Sequence, residues 1–260
     1  VGGIKKTSPI YKFYYDLSKK IYTNVDKILV TSRMFQNYFI EEFGISEDSI
    51  EYLPQYAISE FGNIPNQPEK NTTDFVFAGN VGAAQNLYVI LKAAKSVQEE
   101  KINDNGKKIY FHIIGDGQEL DNLKKYAQDN GIQNVIFHGR KPSEEMPRYY
   151  AFADAMIVTL TANPLVSLTL PAKVQSYMAA GKPILASANG EIANVIKESG
   201  AGFCSRADDN REFVDIVKLF LNNEDRYNMG KNARKYYVNN FSKEKVMDKL
   251  EKILIKEAIY

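Results

Sequence analysis

From Asp74 to Arg206 the chain repeats one pattern: a short apolar run, a turn carrying glycine or charge, then a segment with apolar residues at helical spacing. The runs are DFVFAG, IYFHIIGDG, NVIFHGR, DAMIVTLT, KPILAS and AGFCSR. Helical segments such as NLYVILKAAKSVQEEK, QELDNLKKYAQDNG, SEEMPRYYAFA, LPAKVQSYMAAG and GEIANVIKESG stand between them, and helices at about 209–222 and 224–239 follow. Strands separated by helices cannot pair as hairpins. They lie parallel, joined by right-handed crossovers, so the chain predicts an α/β fold with an open, doubly wound parallel sheet. In such sheets a ligand sits beyond the carboxyl ends of the strands, where the strand order reverses.

Before the repeat, SPIYKFYYDLSKKIYT (8–23) starts as a helix should, with Ser8 as cap and proline next. Its aromatic side chains and interspersed lysines leave two partners open, a membrane surface and a neighbouring domain. KILVTS and SIEYLP are short strands flanking RMFQNYFIEEFG, a helix closed by Gly44. The expected division is residues 1–60 as the end of a preceding domain, 61–73 as a linker rich in Pro and Asn, 74–239 as the repeat domain and 240–260 as a final helix. The opening VGGIKKTSPIYKF has no initiator Met and reads as part of a longer protein.

Bulk properties exclude several classes. A formal net charge of +1 gives no reason to expect a nucleic-acid partner. Cys204 is the only cysteine, so there is no intramolecular disulfide and no thiolate metal cluster. His112 and His138 lie inside apolar runs and read as core or strand-face residues. No apolar stretch reaches the roughly 20 residues that a spanning helix needs. Asn71 heads an Asn-x-Thr triplet, which matters only in a secretory setting.

The informative residues follow each strand. Gly79-Asn80-Val81-Gly82 precedes a helix and lets backbone N–H groups approach an anion, although a plain turn fits as well. The loop is neither G-x-G-x-x-G nor a P-loop. Gly115-Asp116-Gly117, Gly139-Arg140-Lys141, the long stretch Thr159 to Pro171 and Ser187 to Glu191 stand at equivalent places. Pro171 starts a helix and Lys173 lies in its first turn, where the helix dipole disfavours a cation. Such a lysine is easier to understand facing an anion.

SYMAAGKPILAS resembles the E-A-M-A-x-G-x-P-V-I-A-S segment of the retaining glycosyltransferases of family 4, which have the GT-B fold. FVFAGNVGAAQNLYVILKAA, FHIIGDGQELDNLKKYA, NVIFHGRKPSEEMPRYYAFADAMIV and GEIANVIKESGAGF are similar to the family's neighbouring stretches, in order, and 24–54 to the end of its N-terminal domain. The resemblance implies a two-domain protein of which this chain holds the Rossmann-like C-terminal domain and the tail of a Rossmann-like N-terminal one. It implies transfer of a sugar from a nucleotide-sugar, expected to be UDP-linked, to an acceptor hydroxyl on a glycan or lipid, with retention at the anomeric carbon. No metal and no organic cofactor are expected. Cytoplasmic work on bacterial surface polysaccharide, at the inner face of the membrane, fits the subgroup.

Carried over, Gly79, Asn80, Val81, Gly82 and Gln85 would face the diphosphate, and Gly115, Asp116 and Gly117 would border the nucleotide. Gly139, Arg140 and Lys141 would meet the base. Leu170, Pro171, Gln175 and Ser176 would lie along sugar, phosphate and ribose, with Glu191 in the following loop. The family commonly carries basic residues where this chain has Asn80 and Gln85, and its paired glutamates fall at Leu168 and Ser176. A subgroup has P-x-K-x-x-[EQS]-Y-M-A-x-G-x-P instead, which Pro171-Ala172-Lys173 matches, so Lys173 becomes the expected cation at the diphosphate. The lost glutamates keep a non-catalytic nucleotide-binding module open as a rival. A nucleotide-sugar 2-epimerase on the same fold is the other, although 161–170 lacks the carboxylates and histidines it needs.

Overall fold

The computed structural model describes residues 5–65 and 69–258. Positions 66–68 of the predicted linker, residues 1–4 and residues 259–260 lie outside them. The first segment comprises α1 (Pro9–Tyr22), β1 (Ile28–Val30), α2 (Met34–Phe43) and β2 (Ile50–Tyr52). Ser8 caps α1 by accepting from the Tyr11 N–H, and Gly44 ends α2 at φ 69°. β1 and β2 pair in parallel over a small core of Val30, Phe43, Ile45 and Ile50, against which Tyr15 and Tyr22 of α1 pack. The opposite face of α1, formed by Ile10, Phe13, Tyr14, Leu17 and Ile21, is exposed.

The repeat domain contains β3 (Thr72–Ala78), α3 (Tyr88–Glu99), β4 (Lys108–Ile114), α4 (Leu120–Asp129), β5 (Val135–Gly139), α5 (Met146–Phe152) and β6 (Ala155–Thr159). It continues through α6 (Pro164–Ser167), α7 (Ala172–Ala179), β7 (Ile184–Ser187), α8 (Glu191–Ser199), β8 (Gly202–Ser205), α9 (Asn210–Leu221), α10 (Arg226–Asn240) and α11 (Lys243–Ala258). β3 begins at Thr72 rather than Asp74, because Thr72 and Thr73 already pair with Lys108 and Ile109. The stretch read as a long loop hides one helical turn, α6, capped by Asn163 on the N–H groups of Leu165 and Val166.

Six parallel strands lie in the order β5-β4-β3-β6-β7-β8. The chain enters at the centre with β3, runs outward to β5 and returns to the other side with β6. Strand order therefore reverses between β3 and β6, which fixes where a ligand belongs. Side chains alternate across the sheet. Phe75, Phe77 and Phe111 pack with α3, α4 and α9 on one face, while Val76, Ala78 and Val158 pack with α5, α7, α8 and α10 on the other. Burying each of these phenylalanines contributes about 1.5–3 kcal/mol.

The two histidines meet on the second face. His112 Nδ1 lies 2.9 Å from His138 Nε2, and its Nε2 lies 2.9 Å from Asp74 Oδ1. Although burial opposes it, hydrogen bonds from His112, Lys70 and Thr72 hold the Asp74 carboxyl down at about 2. Both histidines are thus tied into the strand face, as read from the sequence. Lys249 pairs with Glu51 at 3.7 Å and Lys27 with Glu257 at 3.4 Å, so α11 lies against the first segment. Phe61, inside the predicted linker, is buried with its ring 5.2 Å from that of Tyr150.

Candidate functional site

At the carboxyl rim two loops touch through their backbones. Gly79, after β3, takes φ 146°, while Gly115 and Gly117, after β4, take 146° and 155°. A Cβ on Gly115 would stand 1.8 Å from the Gly79 carbonyl oxygen, and one on Gly117 would stand 2.3 Å from that of Val81. No side chain fits at either place, so these glycines serve a close loop-on-loop approach. The Val81 N–H donates to the Asp116 carbonyl at 2.9 Å, and the Glu119 N–H donates to the Val81 carbonyl at 3.1 Å. Gln85 stiffens the loop from within, its Oε1 accepting from the Gly82 N–H and from Asn80 Nδ2, each at 3.2 Å.

The crevice opens because pairing between β3 and β6 stops early, at Phe75–Ala155 and Val76–Met156. Ala78 therefore has no ladder partner on that side. Tyr177 of α7 takes its place, with a hydroxyl that accepts from the Ala78 N–H at 3.0 Å and donates to the Ala78 carbonyl at 2.9 Å. This pins α7 to the end of β3. Lys173, one turn earlier on the same helix, is thereby brought beneath Gly79.

The Lys173 Nζ is buried and has no hydrogen-bond partner. It lies 4.0 Å from the centre of the Phe77 ring and 2.6 Å from the point where a Cβ of residue 79 would stand. Burial lowers its pKa to about 7. A buried cation without an acceptor is costly, and an anion resting on the Gly79 loop would relieve that cost. The helix-start lysine that looked misplaced against the dipole thus points at the glycine loop.

Over these loops lies a cleft of about 870 Å³. Of the residues anticipated from the sequence, Gly79, Asn80, Gly115, Asp116, Arg140 and Lys141 line it. Ala78, Ile114, Pro142, Ser143, Met146 and Tyr150 complete its wall, and none of these was anticipated from the sequence. Met146 and Tyr150 are one turn apart on α5 and share its buried face.

The remaining anticipated residues do not line the open cleft. Val81 and Leu170 are buried in the core. Gln175 is fully buried with both amide atoms unpartnered, and Ser176 turns its hydroxyl onto the Ala172 carbonyl at 3.0 Å. Glu191, also buried, accepts from Arg33 Nε at 2.8 Å. Gly82, Gln85 and Gly117 form the loops behind the cleft, Pro171 heads α7, and Gly139 closes β5 at φ 67°. Among the described residues no group of three or more His, Cys, Asp or Glu stands together as a metal-ligand set, and no helix is long and apolar enough to cross a membrane.

The same architecture recurs in solved glycosyltransferase structures. HepE of Anabaena, crystallised in complex with UDP, superposes with a TM-score of 0.79 at 14% identity, over 96% of this chain and 70% of that one. A glycosyltransferase of Rickettsia africae gives 0.75 at 15% identity over 96% and 68%. In sequence, a probable glycosyltransferase of Pseudomonas aeruginosa, WbjE, is 31% identical over 215 residues, covering 78% of this chain and 51% of the relative. The lipopolysaccharide 1,2-N-acetylglucosaminetransferase of Salmonella typhimurium is 21% identical over 88% of this chain and 61% of its own length. The chain thus spans about half the length of the curated relatives it matches. The family described as Glycosyl transferases group 1 matches residues 61–236, which run from the linker through all six strands of the rim to α10, and the chain belongs to that family.

Proposed function

We propose that this chain is the donor-binding part of a retaining, UDP-sugar-dependent glycosyltransferase of family 4 that works at the cytoplasmic face on surface polysaccharide. The observation that carries the reading is the buried, unpartnered Lys173 ammonium beneath Gly79, at the point where strand order reverses. A nucleoside diphosphate would lay its base toward Arg140 and Lys141 and its phosphates over the Gly79 loop. The leaving diphosphate gains charge as the glycosidic bond breaks, and a cation with backbone N–H groups already aimed there stabilises that charge without reorganisation. Neither Asp116 nor any other cleft residue is needed as a metal ligand in this scheme.

HepE was crystallised with UDP and with UDP-glucose, which supports a uridine donor. Transfer itself is proposed for the whole protein, with this chain alone binding donor and turning over poorly. Calorimetric titration with UDP, GDP and ADP tests the first half. UDP binding that weakens at least tenfold in Lys173→Met is the expected result, and equal indifference to all three nucleotides rules the reading out. Incubation of the full protein with UDP-sugars then separates a transferase, which needs acceptor, from an epimerase, which does not. A whole protein inert toward every UDP-sugar would leave a non-catalytic binding module.

A further inference from the structure

Two consecutive residues of the first segment reach into the rim. Ser32, fully buried just after β1, donates its hydroxyl to the Leu168 carbonyl. Arg33 donates from Nε to Glu191 Oε1 at 2.8 Å and from a terminal nitrogen to Glu198 Oε2 at 3.0 Å. Tyr236 of α10 adds its hydroxyl to the same Glu198 oxygen at 2.9 Å. Leu168 belongs to the loop between β6 and α7, and Glu191 opens α8 just after the loop that follows β7. Those two loops also touch each other, since a Cβ on Gly190 would stand 2.1 Å from the Ser167 carbonyl oxygen.

The contacts close a ring. Ser32 holds 168, Ser167 abuts 190, Glu191 holds Arg33, and Arg33 is bonded along the chain to Ser32. Glu191 is 1% exposed, and a carboxylate buried this deeply persists only with a partner, so Arg33 fixes where α8 begins. Leu168 lies just before α7, but α7 itself is pinned to the end of β3 by the Tyr177 hydroxyl, so the ring acts on the wall and leaves Lys173 in place. None of these residues lines the open cleft.

We propose that Ser32 and Arg33 are positioning residues for the sugar end of the donor. They hold the 163–171 loop and the start of α8 as one wall, and they leave the nucleotide end, over β3 to β5, untouched. The inference rests on the nucleotide-sugar reading above. It assigns to a segment far away in sequence a control over which activated sugar fits.

The test is calorimetric titration of the chain with UDP, UDP-glucose and UDP-N-acetylglucosamine, for the unsubstituted protein, Ser32→Ala, Arg33→Gln and Arg33→Lys. UDP affinity should stay within about twofold throughout, because the open cleft is unchanged. The ratio of UDP-sugar to UDP affinity should shift by about fivefold or more in Ser32→Ala and Arg33→Gln, as expected for one or two lost hydrogen bonds in the wall, and recover in Arg33→Lys. Ser32→Ala leaves every charge in place, so it reports even if Arg33→Gln unfolds through the stranded Glu191. An unchanged ratio, with only the melting temperature lowered, overturns the inference and leaves the ring a structural brace. Failure of the unsubstituted chain to bind UDP removes the nucleotide-sugar reading itself, an outcome distinct from UDP binding with an unchanged ratio.

Discussion

The rim has two halves built on opposite plans. Over β3, β4 and β5 the loops leave an open cleft, walled by backbone, by Asp116 and by the cationic Arg140 and Lys141. Over β6, β7 and β8 the loops are tied to each other and to their neighbours: Ala162 N–H, and Asn86 Nδ2 from the loop after β3, both donate to Asp208, Ala207 N–H donates to Asn189, and Glu191 accepts from Arg33 of the first segment. The open half can receive a ligand without rearranging, while the closed half can only shape what lies beside it. Lys173 stands on the seam, carried by the closed half and pointed under the open one.

The largest effect expected is on the open half, whose shape depends on backbone contact. Gly115→Ala drives a Cβ into the Gly79 carbonyl at 1.8 Å. Because the obstacle is backbone, the loop after β3 must move, at a cost of on the order of 3–5 kcal/mol. Gly139→Ala meets nothing within 4 Å and should cost only its left-handed φ, about 1–2 kcal/mol. Thermal unfolding of the two variants measures the difference, and equal shifts would mean that the loop contact does not shape the cleft.

At the seam, Lys173→Met should stabilise the ligand-free protein and weaken UDP binding by about 1.5–3 kcal/mol, the worth of a charge-assisted hydrogen bond. The pH dependence follows from the same burial. With its folded value lowered to about 7 from the usual 10.5, Lys173 binds fewer protons than in the unfolded chain between those limits. Stability therefore rises with pH across that window and carries the full burial penalty below it. A bound diphosphate pulls the value back up, so titrations near pH 8.5 should show uptake of up to about one proton, absent in Lys173→Met. Comparing binding enthalpies in buffers of different ionisation heat measures it.

In the closed half, Asp208 holds φ 63° while its carboxylate accepts from Asn86 Nδ2 at 2.6 Å and from the Ala162 N–H at 2.8 Å. Asp208→Ala loses both bonds and keeps the strained φ, and should cost about 1–2 kcal/mol. Asp208→Gly loses the same bonds and relaxes the backbone, so its cost should be smaller by about 1 kcal/mol. Chemical denaturation of the pair separates bond from strain. Identical values would show that the closed half does not depend on this clamp.

How far the sequence foretold these halves depends on how local each signal is. The order of strands and helices was legible because short apolar runs alternate with segments at helical spacing, and the strand-end residues Gly79, Asn80, Gly115, Asp116, Arg140 and Lys141 followed from that order. Lys173 was legible through its conflict with the helix dipole. Met146 and Tyr150 were not, because only tertiary packing decides whether a buried helical face meets core or cleft. Ser32 and Arg33 were invisible, since their partners lie 136 and 158 residues away. Gln175, Ser176 and Glu191 were expected beside the donor from the family resemblance alone; their side chains are buried, Ser176 on the Ala172 carbonyl and Glu191 on Arg33, which a motif cannot report.

The smallest effect separates the halves by salt. Arg140 is exposed at the mouth of the cleft, so Arg140→Ala should change folding stability by less than about 0.5 kcal/mol. It should weaken UDP binding by only about 0.5–1 kcal/mol at low salt. Screening shortens to about 10 Å at 0.1 M ionic strength and about 3 Å at 1 M, and an exposed charge loses most of its reach across that range. Lys173, sealed beneath Gly79, is screened far less. UDP titrations at both ionic strengths should therefore show the Arg140→Ala defect vanishing in high salt while the Lys173→Met defect persists. If both defects fade together, the ammonium is reached by solvent when nucleotide binds, and the seam opens further than its buried position implies.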